Sequence, residues 1–235
     1  MKPVAIFRHA PTEGPGYFAT YLMEHNIPWQ LIRIDANDPI PIDPTTFSGL
    51  AFMGGPMSVN DKLQWIPKIT GLISLSVAKN IPLIGHCLGG QLISKSLGGT
   101  VSANSVREIG WGKVEICQNP AAAEWFGDMP QSFYSFHWHG ETFTIPQRAT
   151  RILASDYCDN QAFVLDKHLA MQCHVEMTEE MIKLWCETGK TEVATHLGPS
   201  VQSVDEIQNQ ISKHLTGLNR VARKLYDRWT EGLAR

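Results

Sequence analysis

Apolar positions along the chain fall into two rhythms. Residues 4–7 are a continuous apolar run and predict a central strand. Phe18, Tyr21 and Leu22 repeat at helical spacing and predict a helix over 17–25. Further strands are predicted at 29–34 and 50–53. A helix is predicted at 65–79, with Pro67 tolerated in its first turn. A short β-type run at 81–84 is followed by Leu92, Ile93, Ser96 and Leu97 at helical spacing, and Gly98-Gly99 ends that helix. This β-α alternation implies a mostly parallel sheet covered by helices.

The middle of the chain reads differently. Short β-rich segments are predicted at 112–116, 132–136, 141–145, 151–154, 162–165 and 170–174, with Asp166-Lys167 as a tight turn. They suggest a small β-rich sheet added to the main one. A helix is predicted over 179–187. Val204, Ile207, Ile211, Leu215, Leu218, Ala222, Leu225, Trp229 and Leu233 then form one apolar face of a single long helix, opened by a Ser203–Glu206 capping box. The expected division is an α/β domain over residues 1–198 and a C-terminal amphipathic helix over 199–235. That helix would pack on the same domain or on a partner.

Composition narrows the class. With 43% hydrophobic and 18% charged residues, the chain is of ordinary globular make-up. A net charge of −3 without a basic block disfavours nucleic acid. No apolar run approaches membrane-spanning length, and the N-terminal run is too short for a signal peptide. Five irregularly spaced cysteines argue for a reducing, cytoplasmic setting.

One of those cysteines is singular. Cys87 sits between the 81–84 run and the following helix, with Gly85 before it and Gly89 and Gly90 after it. That is the pattern of a nucleophile elbow, in which a sharp strand-to-helix turn presents one side chain above the sheet. A thiol at a helix N-terminus faces the positive dipole end, so its thiolate is favoured. A cysteine nucleophile needs a base and a group that orients the base. His174 and Glu176 close an apolar run, and residues two apart in an extended chain share a side. The carboxylate can then fix the imidazole tautomer. Gly54-Gly55-Pro56 ends the third predicted strand. A backbone N–H there, with that of Leu88, could hold an oxyanion.

Together, Phe52-Met53-Gly54-Gly55-Pro56, Gly85-His86-Cys87-Leu88-Gly89-Gly90-Gln91 and Gln172-Cys173-His174-Val175-Glu176 resemble the class I glutamine amidotransferase family, in that family's chain order. The resemblance runs from the first strand to about Thr178. Gly110-Trp111, His137-Trp138-His139-Gly140 and Asn160-Gln161-Ala162-Phe163 are similar to stand-alone proteins akin to the amidotransferase domain of GMP synthase.

The resemblance implies a flavodoxin-like α/β fold. It implies Cys87 as nucleophile, His174 as base and then acid, Glu176 as its orienter, and the N–H groups of Gly55 and Leu88 as oxyanion hole. Gly54, Gln91, Trp138 and His139 would contact the substrate. That substrate is glutamine or another γ-glutamyl compound, with ammonia passed to a separate synthetase subunit. A γ-glutamyl hydrolase and a non-catalytic binding protein on the same fold are the alternatives, and a homodimer is a further option. Two positions depart from the family pattern: Val175 stands where proline is usual, and Met57 where glycine is frequent. No cofactor is expected. His137 and His139 share a strand face and His86 adjoins the nucleophile, but the sequence indicates no third ligand, so no metal is expected.

Overall fold

The computed structural model describes residues 1–234. Nine strands form one sheet in the order β2-β1-β3-β4-β9-β8-β7-β5-β6. They are β1 Val4–Arg8, β2 Trp29–Arg33, β3 Gly49–Phe52, β4 Leu83–His86, β5 Val101–Ile116, β6 Ser132–Phe143, β7 Thr150–Ser155, β8 Ala162–Leu165 and β9 His168–Met171. The helices are α1 Gly16–Glu24, α2 Trp65–Ala78, α3 Leu88–Ser96, α4 Pro120–Phe126, α5 Glu179–Thr188, α6 Lys190–His196, α7 Val204–Asn209 and α8 Ile211–Glu231.

The half from β2 to β9 is parallel throughout. β1, β3 and β4 are almost wholly buried apolar runs, as strands covered on both faces must be. From β9 onward every pairing is antiparallel. The β-rich middle is therefore an extension of the central sheet and not a sheet of its own. The β8–β9 hairpin turns at Asp166, φ 52°. It puts β8 on the free edge of β9 while β9 pairs with β4, so hydrogen bonding runs on unbroken.

Other boundaries also differ. The strands predicted at 132–136 and 141–145 are one strand, β6, because Gly140 does not interrupt it. The strand predicted at 112–116 is the end of the 16-residue β5. The first part of β5 is largely exposed and polar, and its register shifts between Ala103 and Glu108. Neither α4, capped by Asn119 accepting from the Ala122 N–H, nor α6 was predicted. The long C-terminal helix divides at Gln210 into α7 and α8. Gln210 keeps right-handed helical φ and ψ, so the apolar rhythm passes through the break. The Ser203–Glu206 capping box is present at the start of α7.

Helix α8 lies on the molecule's own core, against α1, α4 and β6. Leu218, Val221, Leu225, Tyr226 and Trp229 are buried there. Burying each such side chain contributes about 1.5–3 kcal/mol. The Trp229 ring packs edge-on to Phe18 of α1 at 5.6 Å. Among the described residues, no helix is long and apolar enough to cross a membrane.

Candidate active site

The C-terminal ends of β1, β3, β4 and β9 meet at one end of the parallel half. Ligands gather there in open α/β sheets. His9 follows β1, Gly54 and Gly55 follow β3, Cys87 follows β4 and His174 follows β9.

Cys87 has φ 50° and ψ −108°, far from ordinary helix or strand values. Such a conformation costs on the order of 1–3 kcal/mol and persists only when its surroundings enforce it. They do so here by close approach. A Cβ on Gly89 would lie 2.0 Å from the Phe52 carbonyl oxygen, and one on Gly90 would lie 2.3 Å from that of Met171. Only glycine lets α3 start this close to β3 and β9. The Cys87 N–H donates to the Met171 carbonyl at 2.8 Å, which ties the elbow to β9. Its sulfur accepts from Gln172 Nε2 at 3.4 Å and faces the Trp138 carbonyl at 3.9 Å.

His174 lies beyond the end of β9, paired to Phe136 of β6 by a backbone hydrogen bond of 2.8 Å. Its Nδ1 donates to Glu176 Oε1 at 2.6 Å. Its Nε2 is buried with no hydrogen-bond partner in the protein. Burial alone would lower the pKa of this imidazole. The charge of Glu176, then that of the adjacent Cys87, outweigh burial and hold it well above the ordinary histidine value. Glu176 is buried as well. Desolvation pushes its carboxyl up, but His86 and His174 hold it at about 2. His86 Nε2 lies 3.8 Å from Glu176 Oε2, and the Tyr226 hydroxyl of α8 lies 3.3 Å from the same nitrogen. Gly16, φ 47°, lets the start of α1 close over the Glu176 backbone, where the Tyr17 N–H donates to the Glu176 carbonyl at 2.8 Å. The edge of the Trp185 ring meets His174 at 4.8 Å.

A cleft of about 660 Å³ opens above these groups. Cys87, Gly55, Gln91, Trp138, His139 and His174 line it. Glu176 and Leu88 lie behind the wall. The Leu88 side chain touches Gly55, and Leu88 is the first residue of α3, where backbone N–H groups are free of helical bonds. Gly54 is packed under Glu13 and the His174 ring. Gln91 donates to Gln172 Oε1 at 3.1 Å, so it reaches the Cys87 sulfur through Gln172.

The sequence did not single out several wall residues. Glu13 from the β1–α1 loop faces His174, and its carboxyl is pushed up to about 7, mainly by desolvation. Arg107 and Glu192 pair at 2.6 Å at the cleft, and Glu192 also accepts from Trp138 Nε1 at 3.0 Å. Glu141 lies on the same rim. Isolated charged residues on polar stretches carry no sequence signal. Gln172 did have one, since it opens the motif that contains His174.

An α/β sheet with a strained cysteine elbow beside a buried His–Glu pair is the arrangement of the class of α/β folds to which its relatives assign this chain. The chain belongs to the class I glutamine amidotransferase family, whose profile matches residues 17–183. It is 24% identical over 207 residues to the glutamine amidotransferase-like protein YfeJ of Salmonella typhimurium, covering 85% of this chain and 87% of that one. It is 35% identical over 137 residues to the glutamine-hydrolyzing GMP synthase of Latilactobacillus sakei, covering 55% of this chain but only 24% of the synthase. The crystal structure of a glutamine amidotransferase from Methylobacillus flagellatus superposes with a TM-score of 0.96 at 43% identity, covering 100% of this chain and 96% of that one. One from Thermotoga maritima gives 0.87 at 28% identity, covering 97% and 98%.

Proposed function

We propose that the protein hydrolyses the side-chain amide of glutamine through a Cys87 thioester and releases ammonia for transfer to an acceptor. One observation carries this reading: the sulfur on the strained elbow shares a cleft with a His174 ring whose other nitrogen is held by Glu176 at 2.6 Å.

Cys87 and His174 form a thiolate–imidazolium pair, in keeping with the raised His174 pKa. The thiolate attacks the amide carbon. The carbonyl electron pair moves to oxygen, where the N–H groups of Gly55 and Leu88 receive it. The pair then returns, the C–N bond breaks, and His174 gives its proton to the departing nitrogen, which leaves as ammonia. His174 next takes a proton from water. The resulting hydroxide attacks the γ-glutamyl thioester, and the C–S bond breaks to give glutamate and the thiolate. Glu176 keeps the imidazole in one tautomer and balances its charge through both steps. Gln91 and Gln172 hold the sulfur side of the cleft, while Gly54, Trp138 and His139 shape the substrate side.

Ammonia release from glutamine by the purified protein tests the proposal. Glutamine-dependent ammonia, and a γ-glutamyl adduct on Cys87 trapped by acid quench, are expected. Ammonia release undiminished in Cys87→Ser would overturn it.

A second reading is favoured by the size of the cleft. At about 660 Å³, with Arg107 and Glu192 beyond Trp138, it has room for more than a glutamine side chain. The same chemistry would then serve a γ-glutamyl compound with a larger amine. Faster turnover of a γ-glutamyl peptide than of glutamine would select this reading.

A further inference from the structure

We propose that Glu108, His137 and His139 form a binding site for a divalent cation of the zinc class, buried on one face of the paired strands β5 and β6 beside the catalytic cleft. The histidine pair lacks a third partner in the sequence, and the fold supplies one. Glu108 stands opposite His139 across the β5–β6 ladder, and His137 is two residues along on the same face. Their ligand atoms all lie within 4.8 Å of one another, and the three residues are buried.

The hydrogen bonds around the cluster leave a place for a cation. His139 Nδ1 lies 3.0 Å from the Glu141 carbonyl, which can only accept, so Nδ1 carries the proton. In the neutral ring, Nε2 then presents a lone pair. It sits 3.0 Å from Glu108 Oε2, yet outside hydrogen-bond alignment. A lone pair facing a carboxylate is repulsive unless a positive charge lies between them. His137 is 1% exposed, its ring packs against the Gly112 backbone, and neither ring nitrogen has a well-aligned hydrogen-bond partner. Even with Gly112 beside one nitrogen, the other is buried without a partner, which is costly unless something binds it.

The outer contacts are those of a metal site. Metal-bound histidine almost always donates its second nitrogen to a carbonyl or carboxylate, as His139 does to Glu141. A ligating carboxylate is itself hydrogen-bonded. Here Ser155 donates to Glu108 Oε1 at 2.9 Å, and Gln161 donates to Oε2 at 2.7 Å. Two imidazoles and one carboxylate are a zinc-type donor set, and His139 lines the cleft through which an ion can enter.

The test uses the whole chain with Cys87→Ser, so that the nucleophilic sulfur does not compete for metal. The protein is stripped with chelator, dialysed against zinc, and assayed for retained zinc and for Tm. One equivalent retained, with a raised Tm, is expected. Cobalt in place of zinc should give visible d–d bands without a thiolate charge-transfer band. His137→Phe should fold, because it removes a buried polar ring without well-aligned partners and keeps a flat ring in its place, and should lose the retained equivalent. Glu108→Gln serves as a second variant and should lose it too. No retained zinc with an unchanged Tm means an imidazolium–carboxylate ion pair only, and overturns the proposal. So does equal retention in both variants, or a cobalt–thiolate band.

Discussion

Two buried clusters in this molecule are built from the same parts. Each sets one carboxylate, held at about 2, between two buried histidines. Around Glu176 the parts are wired outward. Nδ1 of His174 donates to the carboxylate, Nε2 faces a sulfur, and Tyr226 reaches His86 from the far side. Around Glu108 the carboxylate is satisfied by Ser155 and Gln161 and three histidine nitrogens have no hydrogen-bond partner, against two, His174 Nε2 and His86 Nδ1, around Glu176. Composition therefore does not set the chemistry of a His–Glu cluster. What each remaining nitrogen faces does: a cysteine sulfur in one case, a carboxylate and a second imidazole in the other.

The largest break in that comparison is at the proposed nucleophile. Cys87→Ser should reduce ammonia release by on the order of 10⁴-fold or more, with no loss of Tm. Next come the two carboxylates. Glu176→Gln should lower kcat by about 10²–10⁴-fold, since an amide holds the ring but does not balance its charge. Glu108→Gln should lower Tm while changing kcat by less than about tenfold, because it does not touch the reacting atoms. Equal kcat losses at the two sites would erase the distinction.

Thiol labelling sharpens it further. Cys158 and Cys173 lie near the Glu108 cluster, and burial pushes both thiols up, Cys173 to about 12. Limited alkylation with peptide mapping should mark Cys87 first. Earlier labelling of Cys173 would count against the proposed nucleophile.

Acid stability separates the clusters next. His137 titrates near 4 when folded and at 6.5 when unfolded. Its neutral form therefore stabilises the fold fully above 6.5, and this is lost as pH falls towards 4. The two carboxylates act lower, between 4.5 and about 2. His137→Phe should make the denaturation profile shallower between pH 6.5 and 4, and should also weaken the lower limb, because His137 is the main group that holds the Glu108 carboxyl down. The smallest effect is at Glu13, whose carboxyl titrates near 7 beside His174. Glu13→Gln should change kcat by a few-fold and remove an inflection near pH 7 from its profile.

Much of the Glu176 cluster was legible in the sequence because its parts are local. An elbow requires glycines next to Cys87, and His174 and Glu176 are two residues apart. The Glu108 cluster was half legible: His137 and His139 adjoin, but Glu108 arrives only through strand pairing. The same reason hid Glu13, Arg107 and Glu192. Apolar alternation specifies which face of a strand is buried, but not which strand lies beside it. The antiparallel strands could therefore be found without showing that they extend the central sheet. The first half of β5 escaped because its side chains are polar and exposed, and the break at Gln210 escaped because helical periodicity survives it.

The contact between Tyr226 and His86 bears on the order in which the protein is made. Tyr226 belongs to α8, which leaves the ribosome after all nine strands. The same helix holds the beginning of the chain, through Asp227 with Tyr21 and Arg223 with Glu24. A nascent chain can thus assemble its sheet and its elbow while the back of the Glu176 cluster still lacks its cover. Domains made in this order complete themselves late. The cover over the back of the Glu176 cluster is then the last part of that cluster to be made.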